Sequence, residues 1–346
     1  MCKSFPKVTM ELLKLPSLVQ QKIFGFIELH NLLVLSFCSK RTRYLIQSLQ
    51  GHQWKDMKFV TYSFEEKDTI CVSVTSETMN GLFSLSPITP EQPVITPMDV
   101  FGMGPEIPIC LHPRYFGNEY IYDKEQKQLV VQRIHDYLYQ FLGSSSIDSK
   151  VESTEHKLPP SLKNINSTSI KVPENTTAEE LEACFTASPN QDYIEIDGHF
   201  YGSLCPKSAI LGAYNLSICF KGGHGDEILS RFKGTRLQLH SAKFHDSTIS
   251  QFLNEWKSNR GFQKLMSLSI SSYHWKNYDA VKILKDMDVK QLEEILRIIS
   301  PTGSFRSRDY LIRDVDGEKA SVLIENYNVR FALWKGNSCE MEIVNR

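Results

Sequence analysis

The sequence predicts an α+β protein in several parts: three short N-terminal helices, a mixed strand and helix region, then strand–helix repeats that end in antiparallel strands. Three observations lead there. Apolar residues recur at helical spacing up to about Leu49, and the period changes to two from Met57. From Asp192 onward, short alternating segments return at intervals of 23, 20 and 29 residues, with helix-like stretches between them.

The first helix starts just after Pro16, because Val19, Ile23, Phe26 and Ile27 fall on one stripe at i, i+4, i+7 and i+8. Leu32, Leu33 and Leu35 mark a second short helix. A third begins after Ser39, a good N-cap residue, and carries Tyr44, Leu45 and Leu49. Three helices of this length bury little surface alone, so the module is expected to lean on a partner or on the next domain.

The mixed region covers residues 57–142. Val and Ile alternate with polar residues on both sides of the charged run Glu65, Glu66, Lys67, Asp68, which predicts a hairpin. Between Pro87 and Pro113 lie seven of the fifteen prolines, so that stretch is expected to be irregular. A helix is expected from about Lys124 to Leu142, with Leu129, Val130, Ile134, Leu138 and Phe141 on one face and Gly143 at its end. Residues 143–169 are rich in Ser and poor in apolar residues, and read as a linker or surface loop.

Beyond the linker, strands are expected near Asp192, Asn215, Thr235 and Lys264, with helices over Ala178 to Ala187, Gly225 to Lys233 and Asp246 to Ser258. The spacing is that of leucine-rich-type units stacked into a parallel sheet, here in degenerate form. The segment from Asp309 to Lys335 reads as two or three antiparallel strands, with Asp316 and Gly317 in a tight turn.

Composition narrows the function. The 346 residues are 41% hydrophobic and 23% charged, and 39 basic against 40 acidic side chains leave a formal charge of −1. That is an ordinary globular chain with no overall field for nucleic acid or anionic lipid. No apolar run approaches the ~20 residues of a membrane span. Eight cysteines without a C-x-x-C pair suit neither a zinc ribbon nor a disulfide framework, so reduced thiols in the cytosol or nucleus are expected. Glycosylation-type triplets at Asn166, Asn175 and Asn215 are the one contrary hint.

Chemistry-bearing motifs are sparse. Gly222, Gly223 and Gly225 precede a helix without the Lys-Ser/Thr of a phosphate loop, which favours a turn. The run Asp314, Val315, Asp316, Gly317 lacks the later ligands of a calcium loop and reads as a hairpin turn. The ten histidines form no metal or hydrolase signature. A dispersed hydrolase or transferase site would have to gather, for example, His224, Asp226 and a nearby Cys or Ser. Lys40, Arg41 and Arg43 read as a solvated helix face before a phosphate patch. No catalytic residue, cofactor site or metal site is assigned.

Leu15-Pro16 and the residues that follow, over positions 10–50, resemble an F-box, the three-helix module by which substrate receptors dock onto the Skp-type adaptor of cullin-RING ubiquitin ligases. In that resemblance Leu15 and Pro16 match the opening turn, and Ile23 and Ile27 match the first helix. Leu32, Leu35 and Cys38 match the second, and Lys40 and Arg41 the basic pair after it. Leu18 stands where many members carry an acidic residue, and Thr42 where an aromatic is common. The adaptor-binding residues implied are Leu15, Pro16, Ile23, Leu32 and Leu35.

Residues 170–335, above all the stretch from Thr235 to Ile270, resemble the type-2 F-box-associated region of a nematode-type family. Phe252, Leu253, Trp256 and Leu268 stand at its apolar positions and read as core. Together the resemblances imply a non-enzymatic, intracellular substrate-recognition subunit. Its partners would be a Skp-type adaptor, through it a cullin-RING ligase, and an unknown target protein, with neither nucleic acid nor membrane. The rival expectation is a protein-interaction scaffold whose N-terminal helices are only a structural cap.

Overall fold

A computed structural model describes residues 14–37, 39–50, 57–75, 79–89, 110–114, 117–142, 148–153, 157–272, 277–335 and 340–343, and the chain divides after Ser149 into two units. The first opens with α1 (Ser17–Gly25), α2 (Leu29–Phe37) and α3 (Lys40–Gln50). Pro16 stands at the N-cap of α1, and its carbonyl accepts from the N–H groups of Val19 and Gln20 at 2.9 and 3.0 Å. Proline suits a helix start because its fixed φ and missing N–H cost nothing there. Ser39 caps α3 as its residue type implies, its hydroxyl accepting from Thr42 N–H at 3.0 Å.

The expected hairpin is present as β1 (Phe59–Phe64) and β2 (Ile70–Thr75), antiparallel with Phe59 opposite Thr75 and Phe64 opposite Ile70. Lys67 and Asp68 take positive φ in its turn, where Asp68 holds Lys124 and Lys127 at 3.0 Å each. Three further strands follow, β3 (Met79–Pro87), β4 (Cys110–Arg114) and β5 (Gly117–Tyr122), in the order β1-β2-β3-β5-β4. The expected helix is α4 (Lys127–Leu142), led in by one 3-10 turn that Asp123 caps. Its apolar face, from Val130 to Leu142, is buried, and His135 Nδ1 meets the buried Tyr62 hydroxyl of β1 at 2.9 Å. Most of the proline-rich stretch, Gly143 and Cys38 lie outside the described residues.

From β6 (Asp148–Ser153), in which the division falls, the strands β7 (Ser167–Lys171), β8 (Tyr193–Asp197), β9 (Asn215–Gly222), β10 (Arg236–Ala242) and β11 (Ser267–Ser271) follow, all parallel in that order. Between them lie α5 (Ala178–Ala183), α6 (Ala209–Gly212), α7 (Gly225–Arg231) and α8 (Asp246–Lys257), and α9 (Ala280–Ile283) follows β11. β6 falls within the stretch expected to be a loop: a polar strand pairs through its backbone, which composition does not report. The sheet turns antiparallel where β15 joins β11, giving the order β11-β15-β14-β13-β12-β16. These strands are β12 (Lys290–Ser300), β13 (Gly303–Ile312), β14 (Lys319–Ile324), β15 (Asn328–Leu333) and β16 (Glu340–Ile343).

A large apolar core, with a smaller cluster of Ile298, Phe305 and Ala332 beside it, serves the second unit. Ile194, Ile196, Leu216, Ile218, Leu237 and Leu239 face it from the strands, and Leu181, Leu229, Ile249 and Phe252 from the helices. Of the glycine run, Gly225 at the start of α7 has a packing cause: a Cβ there would lie 2.8 Å from the Lys243 carbonyl and 2.7 Å from the Phe244 ring. Gly317, at φ 73°, makes the expected tight turn between β13 and β14.

Candidate adaptor-docking surface

The N-terminal helices pack inward with few large residues. Phe24, Leu32, Leu33, Phe37 and Ile46 are buried. Two of the helices also grip the rest of the first unit. Phe37 meets Tyr120 of β5 and Tyr137 of α4, with ring centroids 6.0 and 4.9 Å away, and the Tyr137 hydroxyl donates to Ser36 Oγ at 2.8 Å. Gln47 of α3 donates to the carbonyls of Gln140 and Phe141 at the end of α4, at 2.9 and 3.1 Å. The Arg43 guanidinium lies 5.5 Å from the Tyr137 ring centroid, so this member of the basic cluster is a packing group.

Beside the polar Ser17, Gln21 and Lys22, α1 also leaves large apolar residues outward. Leu18 is 71% exposed, Val19 42% and Phe26, just past the helix end, 89%. Of the residues singled out from sequence, Pro16 is exposed, Leu15, Ile23 and Leu35 are half-buried, and Leu32 is buried under α2. Leu18 and Phe26 were not among them; their signal was a helix with apolar residues on more than one side. Large apolar side chains left to water on so small a module make these helices a candidate interaction surface.

The dispersed polar cluster looks different once folded. Asp226 turns to His245, accepting from its backbone N–H at 3.0 Å and meeting its ring Nδ1, and so ties the start of α7 to the start of α8. Glu182, near the end of α5, accepts from the Cys205 N–H ahead of α6 at 2.8 Å. His224 stacks on the buried Phe200 ring, its Nε2 3.2 Å from the Phe200 carbonyl. These contacts hold loops together. Burial pushes the Cys71 and Cys184 thiols up to about 12, far from a nucleophile's range. Among the described residues, no group of three or more His, Cys, Asp or Glu could hold a metal ion, and no helix is long and apolar enough to cross a membrane.

Comparison with known families places an F-box domain at residues 12–54, the span of α1 to α3. No curated protein and no solved structure matches the chain. The N-terminal module is thus an F-box domain, which implies a subunit that binds a Skp-type adaptor within a cullin-RING ubiquitin ligase. Proteins with this domain are generally substrate adaptors rather than enzymes, and no catalytic family is indicated.

Proposed function

We propose that this chain is the substrate-recognition subunit of a Skp/cullin/F-box-type ubiquitin ligase, acting inside the cell in cytoplasm or nucleus. The adaptor docks on Leu15, Pro16, Ile23 and Leu35, with Leu18 and Phe26 widening the apolar contact and Leu32 supporting it from beneath. The second unit, read as a type-2 F-box-associated region of degenerate leucine-rich-like repeats, holds the target protein. Rate then comes from proximity: tethering target and ubiquitin-charged enzyme raises their effective concentration without a catalytic side chain in this chain.

The observation that carries the reading is the F-box match over helices whose outward residues Leu18 and Phe26 are apolar. Co-expression of the full chain with a Skp-type adaptor, followed by size-exclusion chromatography, tests it. An equimolar complex that is lost in Leu15→Ala/Pro16→Ala supports the docking role, and two separate peaks with the unaltered chain overturn it.

The contacts of Phe37 and Gln47 favour a second role for the same helices, that of a cap on the first unit. The scaffold reading keeps only that role and predicts no adaptor complex.

A further inference from the structure

Register lines up polar side chains across the parallel sheet. Ser169, Glu195, Ser217, Gln238, Ser269 and Arg330 stand side by side on β7, β8, β9, β10, β11 and β15, one residue away from the core-facing rows. Tyr193, Asn215 and Arg236 form a second stretch of the same face two residues earlier. Successive strand residues point to opposite sides, so this face looks away from the core.

The turn between β12 and β13 borders a cavity of about 130 Å³ on this face, where Pro301 and Thr302 meet Tyr193, Ser217, Arg236 and Gln238. The turn is pinned. Arg330 Nη1 donates to the Thr302 carbonyl at 3.1 Å and also bonds Ser269 Oγ. Ser300 Oγ donates to the Gly303 carbonyl at 2.8 Å, and Gly303 sits at φ 113°, a conformation that favours glycine.

Most polar groups around the cavity have partners. Glu195 accepts from Ser169 at 2.9 Å and from the Tyr193 hydroxyl, which itself accepts from Ser217. Asn215 donates to the Asp192 carbonyl at 2.8 Å. Two atoms are the exceptions: Nε of the half-buried Arg236 and Oδ1 of Asn215 are shut off from water with no hydrogen-bond partner among the described residues. A guanidinium stays charged at all physiological pH and presents donors only, so shielding it without an acceptor is unfavourable. Bringing an anion to it reverses that cost.

Size narrows the ligand. Small-molecule sites usually run to ~300–1,000 Å³, well above this cavity. At ~30 Å³ of liquid volume per water, it has the room of about four waters, enough for one short acidic side chain.

We infer that this cavity is a recognition pocket for a single carboxylate- or phosphate-bearing side chain of a protein target, with Arg236 as its ionic partner and Ser217 and Gln238 lining it. The inference deepens the proposed target-holding role of the second unit and rests on it. The carboxylate of Asp or Glu and the phosphate of a modified serine share the required chemistry, and the test separates them.

The full chain, co-purified with a Skp-type adaptor or alone, is titrated with three fluorescent peptide pools that have randomised neutral flanks and a fixed central Glu, phosphoserine or Gln. The Glu or the phosphoserine pool is expected to bind at least about tenfold more tightly than the Gln pool. Arg236→Gln should erase the difference while leaving thermal unfolding and adaptor co-elution unchanged. Gln238→Leu, which keeps the charge, should weaken the preferred pool several-fold and serves as the second variant if Arg236→Gln fails to fold. Equal binding of all three pools overturns the inference. So does preference retained in Arg236→Gln. Arg236-dependent binding of inorganic phosphate without any preference among the pools makes this a free-anion site and overturns the protein-borne ligand, as does equal displacement by a single-stranded oligonucleotide. The pocket lies outside residues 12–54, so loss of adaptor binding alone would sink the docking proposal and leave the peptide result standing.

Discussion

Two helices of this chain use their apolar residues in opposite ways. In α8, Ile249, Phe252, Leu253 and Trp256 are all at most 2% exposed, and the Trp256 and Phe252 rings meet Phe331 edge-on at 5.0 and 5.4 Å between centroids. Arg313 covers the outer side of Trp256, 5.5 Å from its ring centroid. In α1 the buried pair is Gln20 and Phe24, while Leu18 and Val19 face water and Phe26 follows them past the helix end. Helix α8 is finished by its own domain. Helix α1 carries more apolar surface than that domain covers, and the surplus is what an adaptor can bury.

The contrast can be broken from either side. Trp256→Ala should cost ~3–5 kcal/mol, read as a large fall in the urea midpoint of the chain. Phe26→Ala should change the stability read the same way by no more than ~0.5 kcal/mol, as for other surface positions. Comparable losses in the two variants would show that Phe26 is structural and erase the distinction.

Leu15→Ala/Pro16→Ala comes next in size. Truncating buried anchors of an interface costs ~2 kcal/mol or more, so adaptor affinity should fall at least about thirtyfold in a titration. Ser39→Ala removes the cap of α3 and should cost ~1 kcal/mol of stability. It sharpens the comparison by weakening the module without touching its apolar surface.

The smallest effect concerns the ion pair beside the finished helix. Hydrogen bonds from the Arg313 guanidinium, and then from Glu318 N–H, hold the Asp316 carboxyl at about 2, below its ordinary 3.8. A depressed carboxyl stabilises the fold above its unfolded value, and that contribution is lost as pH falls from 3.8 towards about 2. Asp316→Asn should flatten the stability curve over that acid window, with a small amplitude because Asp316 is exposed.

Much of the second unit was legible because burial there follows simple periods. β8, β9, β10 and β11 alternate core and polar residues, α5 precedes them, and α7 and α8 lie between β9, β10 and β11, starting where expected. β12 was missed: in its sequence, Leu292, Ile295, Leu296 and Ile299 stand at spacings that suit a helix as well, and most of the strand is exposed. β5 was missed for the opposite reason, since Tyr120, Ile121 and Tyr122 are all buried and show no alternation. At the candidate docking surface, sequence located the helices but not their outward sides. Leu32 looked like a contact residue and is buried, because which face of α2 points inward is set by Phe37 and Ser36 meeting Tyr137.

Those same contacts determine how the docking claim should be tested. Deleting residues 1–55 would strip Tyr120 and Tyr137 of the Phe37 ring and leave the end of α4 without Gln47, so loss of solubility would follow whether or not an adaptor binds. Point variants on the outward surface avoid this.

The most direct measurement is therefore calorimetric titration of a purified Skp-type adaptor into the full chain and into Leu15→Ala/Pro16→Ala, with thermal unfolding of both recorded beside it. The account predicts tight equimolar binding to the unaltered chain, its loss in the variant, and the same unfolding temperature for the two. No binding to the unaltered chain, or undiminished binding to the variant, would contradict it.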